Sequence, residues 1–163
     1  MRDWLRTARR AEFIAPAYYL SMGFAVPASI GVSMGNPSLR PIVLVGDGAF
    51  QMTGTELSTA VRLGLKPIVL ILNNEGYGTM RKIRDGEFNV ISQWNYGKIC
   101  ELVGGGEATV AKTKGELDGA IRSAMGSSSV RVIDVRIPRD DMSPQLASMS
   151  AELARLRGAA AKK

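Results

Sequence analysis

Two glycine-rich turns hold the residues of this sequence best suited to a multiply charged ligand. Gly46-Asp47-Gly48 is the first and Asn73-Asn74-Glu75-Gly76-Tyr77-Gly78 the second, with 24 residues between Gly48 and Asn73. Asp47 and Asn74 present hard oxygen donors, the kind that Mg²⁺ or Ca²⁺ prefers. Glycines let backbone approach a ligand with no Cβ in the way. The N–H groups of Gly48, Ala49 and Gly78 could then cradle phosphate oxygens bridged by the same metal. A divalent cation held by one carboxylate keeps charge spare for a diphosphate, so the pattern predicts a metal–diphosphate site. Either turn alone is an ordinary feature, since Gly-Asp-Gly is a common turn and Asn-Asn a common strand exit. The pair carries the argument, because each follows an apolar strand and one helix lies between them.

The elements that must position these turns are readable from periodicity. Residues 41–45 form a short apolar, β-branched run, as expected of a strand buried on both faces. Thr53-Gly54-Thr55-Glu56 has the form of a capping box, opening a helix with Leu57, Ala60 and Val61 inward and Gly64 as its stop. Residues 67–72 are a second buried strand. Together, residues 41–74 read as a parallel, right-handed strand–helix–strand unit, which brings the two turns to the same sheet edge. Further on, a helix is expected over 95–103, stopped by Gly104-Gly105-Gly106, and a short strand over 109–111. Thr113-Lys114-Gly115-Glu116 is another capping box, opening a helix with Leu117, Ile121 and Ala124 inward. Residues 130–137 give a last strand and 144–157 a C-terminal helix. The expected fold class is α/β, an open, mostly parallel, doubly wound sheet with helices on both faces, in a single domain spanning 1–163. Ligands in such sheets bind at the carboxyl ends of the strands, at a switch point.

Composition narrows the chemistry. The 163 residues contain no histidine, which excludes a Ser-His-Asp triad, a Cys-His pair or histidine-ligated zinc within this polypeptide. Cys100 is the only cysteine, so no internal disulfide can form and a reducing cytoplasm is the simpler setting. The net charge is 21 − 15 = +6. Part of the excess sits at Arg2, Arg6, Arg9 and Arg10 and at Arg155, Arg157, Lys162 and Lys163. These lack the interleaved aromatics of a nucleic-acid surface and read as solvated ends. No apolar run is long enough to span a bilayer. No nucleic-acid or membrane partner is expected.

Gly46-Asp47-Gly48, the 24-residue spacer and Asn73-Asn74 together resemble the diphosphate-binding signature of thiamine diphosphate enzymes. The stretch 46–54 through Asn74 is similar to the phenylpyruvate and indolepyruvate decarboxylase branch, as is Ala15-Pro16-Ala17-Tyr18-Tyr19-Leu20-Ser21-Met22-Gly23-Phe24. The resemblance runs over roughly residues 12–147 and includes Trp94, the glycine run and Ile137-Pro138-Arg139. It implies the thiamine diphosphate-binding fold, with thiamine diphosphate and Mg²⁺ as cofactors. Asp47, Asn74 and the Gly76 carbonyl would ligate the metal, and amides near Ala49, Tyr77 and Gly78 would hold the diphosphate. The Leu20 carbonyl and Met22 amide would bond the aminopyrimidine, with Met22 as the wedge that bends the cofactor. Without that context Met22 reads as a core methionine at a helix start. Glu56 has a family-like position that its capping role already explains.

Departures from the family pattern matter equally. Relatives often have serine at the place of Ala49, and some have an acid where Gly78, Thr79 and Met80 stand here, so the proton-transfer residues stay unassigned. The glutamate that activates the pyrimidine belongs to a pyrimidine-binding domain that nothing in this chain resembles, and Met1–Arg10 does not match the usual start of the diphosphate domain. A short subunit, a late-start product and an excised fragment are all consistent with this. The resemblance implies decarboxylation of a small 2-oxo acid, in an oligomer with a partner domain or subunit supplying that glutamate, and an isolated chain without turnover. A carboligase of the acetolactate synthase type and a non-catalytic, degenerate domain stay open beside it.

Overall fold

The computed structural model describes residues 13–160, without the side chains of Lys82, Ala154 and residues 156–160. The basic residues Arg2, Arg6, Arg9, Arg10, Lys162 and Lys163 lie outside this range. Four strands form one sheet: β1 (Ile42–Gly46), β2 (Ile68–Asn73), β3 (Glu107–Ala111) and β4 (Arg131–Arg136). The order is β1-β2-β4-β3 and every pairing is parallel. Among the described residues seven helices accompany them: α1 (Ala25–Gly35), α2 (Asp47–Thr53), α3 (Leu57–Arg62), α4 (Gly78–Ile83), α5 (Ile99–Leu102), α6 (Lys114–Gly126) and α7 (Pro144–Ala160).

Alternation along the strands builds two cores, because successive side chains point to opposite faces. Val43, Val45, Val69, Ile71 and Val132 pack with Val26 of α1, Phe50 of α2, Leu57 and Ala60 of α3, Tyr96, and Ile99 and Cys100 of α5. Ile68, Leu70, Ile133 and Val135 pack on the other face against Ala120 and Ala124 of α6. The doubly wound reading is therefore correct. The chain steps from β1 to β2, passes on to β3 at the far edge, and returns to β4. With right-handed crossovers, that reversal sends α6 to the second face. It falls on the β3–β4 side, so the two turns meet because their strands are adjacent rather than at the switch point.

Three expectations need correction. β1 is not buried on both faces: Val43 and Val45 are covered, but Ile42 and Leu44 are 59% and 53% exposed on the face where α6 packs over the neighbouring strands. The helix after β1 begins at Asp47, six residues before the supposed cap, and is interrupted by a 3₁₀ turn (Gly54–Glu56) before α3. Thr53 does not cap; its Oγ1 donates to the Gly23 carbonyl at 2.7 Å. That leaves Glu56 exposed and without the capping role. Nor is 95–103 one helix: a 3₁₀ turn (Tyr96–Lys98) leads into the four-residue α5.

Elsewhere local chemistry sets the boundaries as expected. The Thr113–Glu116 capping box opens α6 with both reciprocal bonds made. Gly64, at φ +64, ends α3 with the Leu65 N–H on the Ala60 carbonyl and the Gly64 N–H on that of Val61, the bonds of a Schellman ending. Arg40 gathers the amino ends of three strands, donating to the carbonyls of Lys66, Met125 and Ser129 at 2.7, 3.1 and 3.2 Å. Among the described residues no helix is long and apolar enough to cross a membrane.

Candidate cofactor site

β1 and β2 run in register, with Gly46 opposite Leu72, so Asp47 and the Asn73–Gly78 turn leave the same sheet edge side by side. Asp47 opens α2, where the helix dipole favours an anion. The residue is 1% exposed. The Gly48 N–H donates to Oδ1 and the Gly76 N–H to Oδ2, both at 2.9 Å. Burial raises the Asp47 pKa, against the opposing pull of the hydrogen bonds from Gly48, Gly76, the Gln93 side chain and Glu75. A buried carboxylate whose charge is only partly compensated is suited to a cation.

The Asn74 amide supplies the test of that fit. The end facing Asp47 lies 2.8 Å from the Gly76 carbonyl oxygen and 3.3 Å from Asp47 Oδ1. With nitrogen turned that way, the amide donates to both; with oxygen turned that way, three acceptors converge, an arrangement that a cation satisfies. Neighbouring oxygens around octahedral Mg²⁺ are about 2.9 Å apart, given metal–oxygen distances of about 2.0–2.1 Å. One carboxylate, one amide and one carbonyl thus fit a hard divalent ion. Among the described residues no three His, Cys, Asp or Glu side chains gather into a metal group.

The glycines are required by close approach. A Cβ on Gly76 (φ +138) would lie 2.3 Å from the Asn89 carbonyl oxygen, and one on Gly78 would lie 2.2 Å from Asn74 Nδ2. Gly48 sits under the Tyr77 ring, where a Cβ would come within 2.4 Å. Three of the amides expected to hold phosphate are engaged within the protein: the Gly48 N–H donates to Asp47 Oδ1, the Tyr77 N–H to the Asn89 carbonyl at 3.0 Å and the Gly78 N–H to the Gly76 carbonyl at 2.9 Å. Phosphate binding there would exchange these bonds.

Asp47, Gly48, Asn74, Gly76, Tyr77 and Gly78 are thus brought together. Leu20 and Met22 are not drawn into that cluster; they are 73% and 46% exposed, so Met22 is no core residue. Their segment is tethered to α2 through Gly23, whose added Cβ would meet Thr53 Cγ2 at 2.9 Å and the carbonyl of Ala49 at 3.3 Å.

Several supporting residues escaped the sequence reading. Asn73 turns inward, donating to Asp134 Oδ1 at 3.0 Å and accepting the Glu75 N–H at 3.3 Å. Asp134 is fully buried; Arg136 pairs with its Oδ2 at 2.8 Å, without hydrogen-bond alignment. The two asparagines therefore do different work, and period-two facing is the signal, since Asn73 follows Val69 and Ile71 on one face. Tyr96 is fully buried, accepts from Gln51 at 2.9 Å and reaches the Asp47 carbonyl at 3.5 Å. Burial, chiefly, pushes its pKa up to about 12, so it stays a neutral phenol. Cys100, also buried, is pushed up to about 11 and is no thiolate nucleophile.

The fold and these two turns define a cofactor-binding domain, and residues 1–135 match the family of the thiamine pyrophosphate enzyme C-terminal TPP binding domain; the chain belongs to that family. Among its relatives is an indole-3-pyruvate decarboxylase of Azospirillum brasilense, 37% identical over 98% of this chain and 30% of the relative. Pyruvate decarboxylase 2 of Pisum sativum is 38% identical over 78% of this chain and 33% of the relative. Pyruvate decarboxylase 4 of Arabidopsis thaliana is 34% identical over 86% and 24% respectively. The chain thus spans about a third or less of the length of these relatives, and its likeness is to the decarboxylase branch.

Proposed function

We propose that this chain is the diphosphate- and Mg²⁺-binding half of a thiamine diphosphate-dependent 2-oxo acid decarboxylase, acting as one domain. A pyrimidine-binding domain or subunit carrying the activating glutamate completes it within an oligomer. The reading rests on one observation, the convergence of Asp47 Oδ1, the Asn74 amide and the Gly76 carbonyl at the carboxyl edge of β1 and β2. The names of the relatives favour decarboxylation over carboligation.

Bound thiamine diphosphate would supply the electron sink that decarboxylation needs. The chain's own part is to hold and orient. Asp47, Asn74 and Gly76 would hold Mg²⁺. The first turn of α2, at Gly48 and Ala49, and the backbone of Tyr77 and Gly78 would take the diphosphate oxygens. Leu20 and Met22, on the segment docked at Gly23, would face the pyrimidine end, with Met22 as the apolar support of the bend. The Tyr77 ring over Gly48 would help exclude water from the metal.

Calorimetric titration of the chain with Mg²⁺ and thiamine diphosphate tests the reading. Wild type is expected to give a binding heat that Asp47→Ala abolishes, with no turnover of 2-oxo acids by the isolated chain. Absence of heat in both titrations would support a degenerate, non-binding domain. With the partner present, aldehyde as product supports the decarboxylase, whereas an acyloin would overturn it in favour of a carboligase.

A further inference from the structure

Arg81 lies in α4, outside the ligand set, yet it is 8% exposed and its guanidinium is turned back beneath the Asn74–Gly76 turn. Nη1 donates to the Asn74 carbonyl at 3.2 Å and Nη2 to the Glu75 carbonyl at 2.5 Å. Nη1 also reaches the Arg139 carbonyl at 3.2 Å, on the loop that follows β4. The packing is tight, since a Cβ on Gly76 would fall 2.5 Å from Nη2. Nε is buried with no acceptor, so the side chain keeps this position although one donor is left unmatched.

The consequence follows from peptide geometry. In a planar trans peptide the C=O and the next N–H point in opposite directions. Holding the Asn74 carbonyl towards Arg81 turns the Glu75 N–H away, onto Asn73 Oδ1 at 3.3 Å. Holding the Glu75 carbonyl turns the Gly76 N–H away, onto Asp47 Oδ2 at 2.9 Å. With Oδ2 engaged in that bond, Oδ1 is left facing the Asn74 amide. The turn needs such a hold, because Glu75 adopts φ +62, in the left-handed region that side chains other than glycine seldom occupy. An ammonium could not span these carbonyls, whereas a planar guanidinium presents its donors as a fork.

We infer that Arg81 is a positioning residue for the Mg²⁺–diphosphate site, setting two successive peptide planes so that the Asp47 carboxylate, the Asn74 amide and the Gly76 carbonyl converge. This rests on the metal–diphosphate reading above. The test is Mn²⁺ affinity, read from the electron paramagnetic resonance of the free ion, on the full chain with thiamine diphosphate in excess. Wild type, Arg81→Met, Arg81→Lys and Arg81→Ala are compared, the last with and without added guanidinium ion, and near-ultraviolet circular dichroism reports the fold without metal. Arg81→Met and Arg81→Lys are expected to weaken Mn²⁺ binding about 10–100-fold, as loss of a partner behind a metal ligand commonly does. Guanidinium ion should return part of that affinity to Arg81→Ala. Arg81→Lys keeps the buried charge and serves where Arg81→Met does not fold. Variants that bind within about twofold of a wild type that does bind overturn the inference and leave the functional reading standing. So does a loss of affinity that tracks loss of fold and ignores guanidinium. A wild type that takes up no Mn²⁺ overturns the functional reading itself.

Discussion

Asp47 sits where water scarcely reaches it, a setting that disfavours its charged form. Burial raises its pKa above the ordinary 3.8. In the metal-free chain its contribution to stability is complete below pH 3.8 and is lost as pH rises through the raised folded-state value, because the folded form binds the proton more tightly. A divalent cation reverses the preference. Mg²⁺ affinity is therefore expected to rise with pH across that same window and level off above it, with proton release at its acid end. Titrations from acid to neutral pH, in buffers of different ionisation enthalpy, measure both quantities. A flat affinity with no proton release would show that Asp47 is not the carboxylate engaged. As a candidate the same residue is the most legible in sequence, since carboxylate chemistry and glycine flanks are local properties. Arg81, Asp134 and Arg136 are not, because their roles depend on which backbone groups the fold places near them.

At the level of elements, two Thr-x-x-Glu stretches looked alike, and only one caps a helix. Thr113 has an extended residue's φ of −128 and receives the Glu116 N–H, while Thr53 already sits at the end of a helix begun at Asp47. The difference lies upstream: apolar Phe50 belongs to the core, which pulls α2 into helix before the supposed cap. Thr113→Ala is accordingly expected to cost about 1 kcal/mol in urea unfolding, with Mg²⁺–thiamine diphosphate affinity unchanged. Thr53→Val should act elsewhere, releasing the Gly23 carbonyl, and amide exchange through residues 20–24 should quicken with little change at α3. Equal protection of that segment in both proteins would remove the tether. β1, β2, β4 and α6 are legible because their apolar runs or caps are strong. The short helix α4 and the 3₁₀ turns are not legible, and α5 is read only as part of a longer helix, since a few residues give no periodic signal and tertiary packing decides them.

Across the whole molecule, apolar side chains are unequally covered. Leu57 is fully buried between α3 and the sheet, while Leu44 is 53% exposed on β1. Leu57→Ala is expected to cost about 2–5 kcal/mol, and Leu44→Ala less than about 1 kcal/mol. Urea denaturation of the two variants separates them; similar losses would mean that Leu44 is covered in solution. Sequence could not tell these leucines apart, because both lie in apolar runs and coverage depends on where the helices land. The parallel alignment of β1 with β2 has a last consequence. Asp47 and Asn74 are each only a step or so beyond a strand end, so the gap between them is inherited from how two buried strands lie against each other. Sliding β2 by one residue would carry its turn about 3.3 Å along the sheet, farther than any metal–ligand bond can stretch. The spacing of the two turns is thus decided in the apolar interior and at the Arg40 end, far from the turns themselves.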